Sequence, residues 1–114
     1  MKARRIGILA VLALMIVSGG GALADDALAP QTLARNIGCL ECHSVDRKVI
    51  GPAYRDIAAK YRNVDGARVA LIEKVKNGGK GNWTEVTGDV LMPPHSARLS
   101  DEEVQRLVDW ILGL

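Results

Sequence analysis

The only two cysteines of this 114-residue chain lie in one short run, Cys39-Leu40-Glu41-Cys42-His43. The pattern is C-x-x-C-H, the attachment signature of a c-type haem. Each thiol can add across a haem vinyl group, giving two thioether links. On a helical turn the i, i+3 spacing brings both sulfurs to one edge of the porphyrin. His43, directly after the second cysteine, can then reach the iron from one face. A bare C-x-x-C would also suit zinc or thiol–disulfide chemistry. Zinc needs a second pair of ligands, and His95 is the only other histidine. Disulfide exchange gives the adjacent histidine no task. The residues therefore point to one covalently bound haem c with His43 as an iron ligand.

A second axial position remains. Met92 is the candidate, because Met1 and Met15 fall in an expected leader. A thioether is a soft ligand, and His/Met ligation raises the potential of a haem. A methionine used as core filler would usually come from a periodic helix. Met92 instead precedes Pro93 and Pro94, which stiffen the backbone and restrict the residue before them. A stiff loop holds a weak ligand with little reorganisation between oxidation states. His95 is the competitor and would give a bis-histidine centre. It could instead hydrogen-bond near the haem edge, where its ordinary pKa of about 6.5 would make the potential pH-dependent. We read it as a solvent-exposed loop histidine, and Met92 as the ligand.

The elements that must position these groups follow a leader. Lys2, Arg4 and Arg5 precede an apolar run, Ile6 to Val17, and Ala22-Leu23-Ala24 is an A-x-A cleavage site. The run is shorter than the ~20 residues that span a bilayer. We expect residues 1–24 to be a cleaved signal peptide and residues 25–114 to be one domain. The leader holds three of the 15 basic residues and none of the 13 acidic ones, so the formal charge of +2 becomes −1 without it. Nothing in that balance argues for nucleic acid. A domain this small is marginal without a metal, disulfide or cofactor. With no Phe, two Trp and two Tyr, a porphyrin would supply missing apolar surface.

Four helices and no strand are expected. The first runs from about Pro30 to Gly38, with Leu33, Ala34 and Ile37 as its stripe. The second follows Gly51-Pro52, with Pro52 at its first position and Tyr54, Ile57, Ala58 and Tyr61 in register. The third begins near Asp65 or Gly66, shows Val69, Leu71, Ile72 and Val75 on one face, and stops at Asn77-Gly78-Gly79. The fourth opens with a capping box, Ser100 and Glu103. It repeats apolar residues at Val104, Leu107, Val108 and Ile111. The irregular stretch from Gly78 to Leu99 is long enough to be functional.

Taken in order, these residues resemble a small class I cytochrome c of the bacterial c-551/c-552 type. The matching runs are Gly38-Cys39-x-x-Cys42-His43, Gly51-Pro52-Ala53-Tyr54, Lys76-Asn77-Gly78-Gly79 with Trp83, Met92-Pro93-Pro94, and Ser100 to Glu103 leading to Trp110-Ile111-Leu112. The resemblance implies an all-α class I fold of about four helices around one haem. It implies that Cys39 and Cys42 are the thioether anchors, and His43 and Met92 the axial ligands. It also implies that the Pro52 carbonyl accepts a hydrogen bond from His43 Nδ1, that the Trp83 indole reaches a haem propionate, and that Trp110 packs the last helix. Lys74 stands where relatives can place a basic partner for a propionate; we read it as a solvated lysine.

Three departures stand out. The stretch from Trp83 to Met92 is longer than in the shortest relatives, so an extra turn is expected within 84–90. His95 stands where relatives often carry an asparagine that bonds the ligand sulfur. Ala34 stands where some relatives place an aromatic at the crossing of first and last helices.

The expected protein is a periplasmic one-electron carrier, monomeric, not an enzyme, and without stable membrane insertion after cleavage. Its partners would be redox proteins such as a periplasmic reductase, oxidase or dehydrogenase, met through Val49, Ile50, Leu91 and Pro93 near the haem edge. The alternatives are an electron-transfer subunit of a periplasmic oxidoreductase complex, and a ligand-binding haem sensor or peroxidase-like protein, which would need Met92 off the iron.

Overall fold

The computed structural model describes residues 27–114; the expected leader and its cleavage site lie outside them. Its elements are α1 (Pro30–Ile37), a 3-10 turn (Cys39–Glu41), α2 (Tyr54–Tyr61), α3 (Ala67–Asn77), α4 (Thr84–Thr87) and α5 (Asp101–Leu112). Among the described residues there is no strand, only the isolated bridges His43–Lys48 and Gly79–Met92. The fold is all-α as expected. The fifth helix is the short α4, which falls within 84–90, where the lengthened segment led us to expect a turn.

Helix α5 is the axis of the domain, packing against α1, α2 and α3. Its i, i+3, i+4, i+7 stripe is buried: Val104, Leu107, Val108 and Ile111. Leu33 and Ala34 of α1 close on Val104, Leu107 and Val108. Ala34 is fully buried, so its small side chain allows close approach of the two helices rather than a loose crossing. Tyr54 and Ile57 of α2 pack with Ile111. Trp110 meets the Tyr54 ring edge-on at 5.5 Å, which places it in the core as expected.

Two local expectations are corrected. Helix α2 starts at Tyr54 with Ala53 as its N-cap, so Pro52 precedes the helix. Ser44 and Val45 carbonyls take the Tyr54 and Arg55 N–H groups, and that pairing sets where the helix begins. On α3, Val69 is 63% exposed. The inward face there is Ala67, Leu71, Ile72 and Val75, because α5 covers that side.

The start of α5 is closed reciprocally. Glu103 N–H donates to Ser100 Oγ at 3.2 Å, and Ser100 N–H to Glu103 Oε2 at 2.8 Å. Because α5 organises the other helices, Ser100→Ala is expected to cost about 1 kcal/mol. For a domain of this size that lowers the thermal midpoint by roughly 4–8 °C. An unchanged midpoint in thermal unfolding followed by circular dichroism would show that the cap contributes nothing.

Candidate functional site

The helices do not close on one another. A cavity of about 310 Å³ lies among α2, α3, α5 and the connecting loops. Core residues Tyr54, Ile57, Leu107, Val108 and Ile111 line it. Cys39, Cys42 and His43 reach it from one segment of the chain, and Met92 and His95 from another.

The first segment begins where α1 stops. Gly38 takes the left-handed conformation (φ 93°), and its N–H bonds back to Ala34 and Arg35 carbonyls. That turn delivers Cys39 directly to the cavity, followed by one 3-10 turn in which Cys42 N–H donates to the Cys39 carbonyl at 3.2 Å; His43 N–H, just beyond it, donates to the same carbonyl at 3.0 Å. The next loop folds back on the motif: Gly51 N–H meets the Cys42 carbonyl at 2.7 Å and Ile50 N–H meets it at 3.1 Å. This return places Pro52 beside His43.

The His43 ring is held on three sides. Its Nδ1 lies 2.8 Å from the Pro52 carbonyl oxygen. A carbonyl only accepts, so Nδ1 carries the proton and Nε2 keeps a bare lone pair. The Tyr54 ring stacks on the imidazole at 5.1 Å between centroids. Gly51 leaves room for the ring: a Cβ there would stand 2.6 Å from His43 Cε1 and 2.9 Å from Nδ1. Burial pushes the His43 pKa down, partly opposed by the Pro52 bond. The ring is thus a neutral, oriented nitrogen donor. Burial also pushes the Cys39 thiol up, with a Tyr54 hydrogen bond opposing it. Tyr54 was legible as a core helix position; its stacking role on His43 was not.

The second segment is pinned to the end of α3. Gly79 and Met92 exchange both backbone hydrogen bonds, at 2.8 and 3.2 Å. Gly78 sits at φ 65°, and a Cβ there would collide with the Met92 carbonyl oxygen and come within 2.7 Å of Pro93 C and Pro94 N. Only a glycine allows that approach. Lys74 Nζ donates to the Lys80 and Gly78 carbonyls at 2.8 and 3.4 Å. It therefore braces this loop, and the solvated reading is corrected.

His95 is buried, at 7% exposure, which overturns the reading of a solvent-exposed loop residue. Its N–H bonds to the Val75 and Lys76 carbonyls at the end of α3 and pulls the residue inward. Its Nδ1 is a buried atom without a hydrogen-bond partner among the described residues. At the cavity rim, Trp83 packs edge-on to Tyr61 at 6.3 Å, with Lys60 Nζ 4.4 Å above its ring. Lys60 also donates to the Asn82 carbonyl at 3.1 Å. This Lys60 clamp on Trp83 had no signal in the sequence, since its parts are distant along the chain.

The chemistry of this donor set fits a haem covalently held. Two thiols, one neutral imidazole with a bare nitrogen and one thioether share a cavity walled by aliphatic and aromatic side chains. Such a lining suits an apolar macrocycle, which would add packing contacts along these side chains.

A family profile for Cytochrome c matches residues 27–114. The chain is 41% identical over 106 residues to cytochrome c-551 of Pseudomonas aeruginosa, an alignment covering 93% of each protein. It is 48% identical over 92 residues to cytochrome c-551 of Allochromatium vinosum, covering 81% of this chain and 93% of that one. The crystal structure of Nitrosomonas europaea cytochrome c552 superimposes with a TM-score of 0.64 and 44% identity, covering 74% of this chain and 98% of the other.

Gly51→Ala tests the packing around His43. The added methyl must displace the ring or the loop, and such overpacking costs about 1–3 kcal/mol. A clear fall in the guanidinium unfolding midpoint of the haem-loaded protein is expected; an unchanged midpoint would contradict the contact.

Proposed function

The chain belongs to the cytochrome c family, whose small c-551 and c-552 members are one-haem electron carriers, and on that premise we propose how its residues hold and use the haem. The protein is an electron-transfer protein with a class I fold, not an enzyme, and carries one covalently bound haem c. Cys39 and Cys42 form the two thioether links. His43 Nε2, its tautomer held by the Pro52 carbonyl, and the Met92 sulfur would be the two protein donors to the haem iron. The Trp83 indole, clamped by Lys60 and Tyr61, bonds a propionate at the rim.

Bound there, the haem supplies a one-electron iron(III)/iron(II) couple. The chain's own part is to keep both axial donors in place so that neither oxidation state needs a rearrangement. Met92 is suited to this because its backbone is bonded on both sides to Gly79. A thioether shifts the balance toward reduced iron. With His43 and Met92 both committed to the iron, no protein-free coordination position would be left for a substrate. The observation that carries this reading is a single cavity lined by both cysteines, an oriented neutral His43 and a backbone-pinned Met92.

Residues 1–24 act as a cleaved export signal and place the carrier in the periplasm. Among the described residues no helix is long and apolar enough to cross a membrane. Electrons pass to redox partner proteins through the edge flanked by Val49, Ile50, Leu91 and Pro93. Val49, Ile50 and Leu91 are 44%, 43% and 59% exposed, and Ile50, Leu91 and Pro93 also line the cavity. Electron-transfer encounters bury small areas, which suits a few exposed apolar side chains on a monomeric carrier.

The axial pair is tested optically. The oxidised protein should show the far-red sulfur-to-iron band, and Met92→Ala should abolish it; a wild type without the band would overturn the assignment. Gly78→Ala should weaken the same band and destabilise the fold by at least about 1–3 kcal/mol, the cost of holding a Cβ at φ 65°, ψ −151°, a region that glycine alone populates, with the Met92–Pro94 backbone also in its way. The docking edge is tested with Leu91→Glu, which should slow electron exchange with a periplasmic extract while leaving the potential nearly unchanged. Equal rates would remove Leu91 from the contact.

A further inference from the structure

One imidazole at the cavity wall, that of His95, is left unused by the proposed ligand set. His95 is 7% exposed and has a buried Nδ1 with no partner among the described residues. A buried nitrogen left unpaired is destabilising, so its position is maintained by something other than that atom's bonding. The backbone supplies it. His95 N–H bonds to the Val75 and Lys76 carbonyls at 3.1 and 3.2 Å, and its carbonyl accepts from Arg98 and Leu99 N–H at 3.0 and 3.1 Å. Met92 is anchored separately, on Gly79. The two ends of the 92–95 segment are therefore tied to different places, with rigid Pro93 and Pro94 between them. Losing the Met92 sulfur leaves the His95 backbone anchored beside the cavity.

Resting on the His43/Met92 reading, we propose that His95 is a reserve axial ligand: when the Met92 sulfur is off the iron, the His95 imidazole takes the open position and keeps the haem six-coordinate. The exchange is between neutral donors. A thioether lone pair leaves the iron, an imidazole nitrogen lone pair binds it, and neither an electron nor a proton moves. The ring is prepared for this: burial, then the Arg98 guanidinium, then His43 all oppose its protonation. Arg98 is fixed nearby by its bond to the Ile37 carbonyl at 3.1 Å. The outcome is a bis-histidine haem of lower potential. Its sixth position is closed to small molecules, so damage to the sulfur does not turn the carrier into a ligand-binding or peroxide-reactive haem.

The test uses haem-loaded oxidised protein in four forms: wild type, His95→Asn, Met92→Ala and Met92→Ala/His95→Asn. Electron paramagnetic resonance reads the spin state, and added imidazole is the competing ligand. Met92→Ala should be low-spin without the far-red band, and should bind imidazole about tenfold or more weakly than the double variant, because most of its population is already closed. The double variant should be high-spin. Equal spin states and equal imidazole affinities in the two would overturn the reserve role. His95→Asn alone should keep the far-red band. If wild type lacks that band and His95→Asn turns high-spin, His95 is the resident ligand, and the Met92 assignment fails along with the reserve role. Should Met92→Ala lose its helical circular dichroism, Met92→Leu, close in volume, replaces it in both pairs with the same expected and overturning results.

Discussion

A helical shell of this size cannot fill its own centre. It has no phenylalanine, and its four large aromatic residues are Tyr54, Tyr61, Trp83 and Trp110. Around the cavity, Leu107, Val108 and Ile111 of α5 and Tyr54 and Ile57 of α2 face space that the chain does not occupy. Packing contacts are individually small and collectively large, so the group that fills this space is part of the core as well as the site. The proposed covalent anchoring at the end of α1 follows from the same constraint. A group that completes the core is best joined to the chain where two helices already meet, and Cys39 packs against both buried clusters.

The two sides of the site are built by different means. On the His43 side, orientation comes from side-chain surroundings: the Pro52 carbonyl, the Tyr54 ring and the absence of a side chain at Gly51. On the Met92 side it comes from the backbone, through the Gly79 bridge and the contact with Gly78. Thioether sulfur is a weak acceptor and cannot be fixed by strong hydrogen bonds to itself. Fixing its main chain is the remaining route. An electron carrier gains from this, since a ligand that stays still in both oxidation states leaves little to reorganise during transfer.

Much of this was legible in the sequence because it is local. The Ser100/Glu103 cap, the α5 stripe, the Gly38 terminator and the C-x-x-C-H motif each depend on residues within a few positions of one another. The family resemblance also located the end of α3 and the Met92 loop. What failed depends on distant contacts. Pro52 looked like a helix start, but the Ser44 and Val45 carbonyls move that start to Tyr54. Val69 has the right spacing for a buried face, yet α5 covers the other side of α3. His95 after two prolines looks exposed, and only its bonds to the Val75 and Lys76 carbonyls bury it. The Lys60–Trp83 contact joins residues 23 positions apart, with no local pattern to announce it.

The central claim is that this chain closes its haem iron between one nitrogen from His43 and one sulfur from Met92. X-ray absorption at the iron edge of the oxidised, haem-loaded protein measures that directly. A single sulfur in the iron's first shell is expected, the remaining ligands being nitrogen. A shell of nitrogen alone, or one with an oxygen in place of the sulfur, would contradict it.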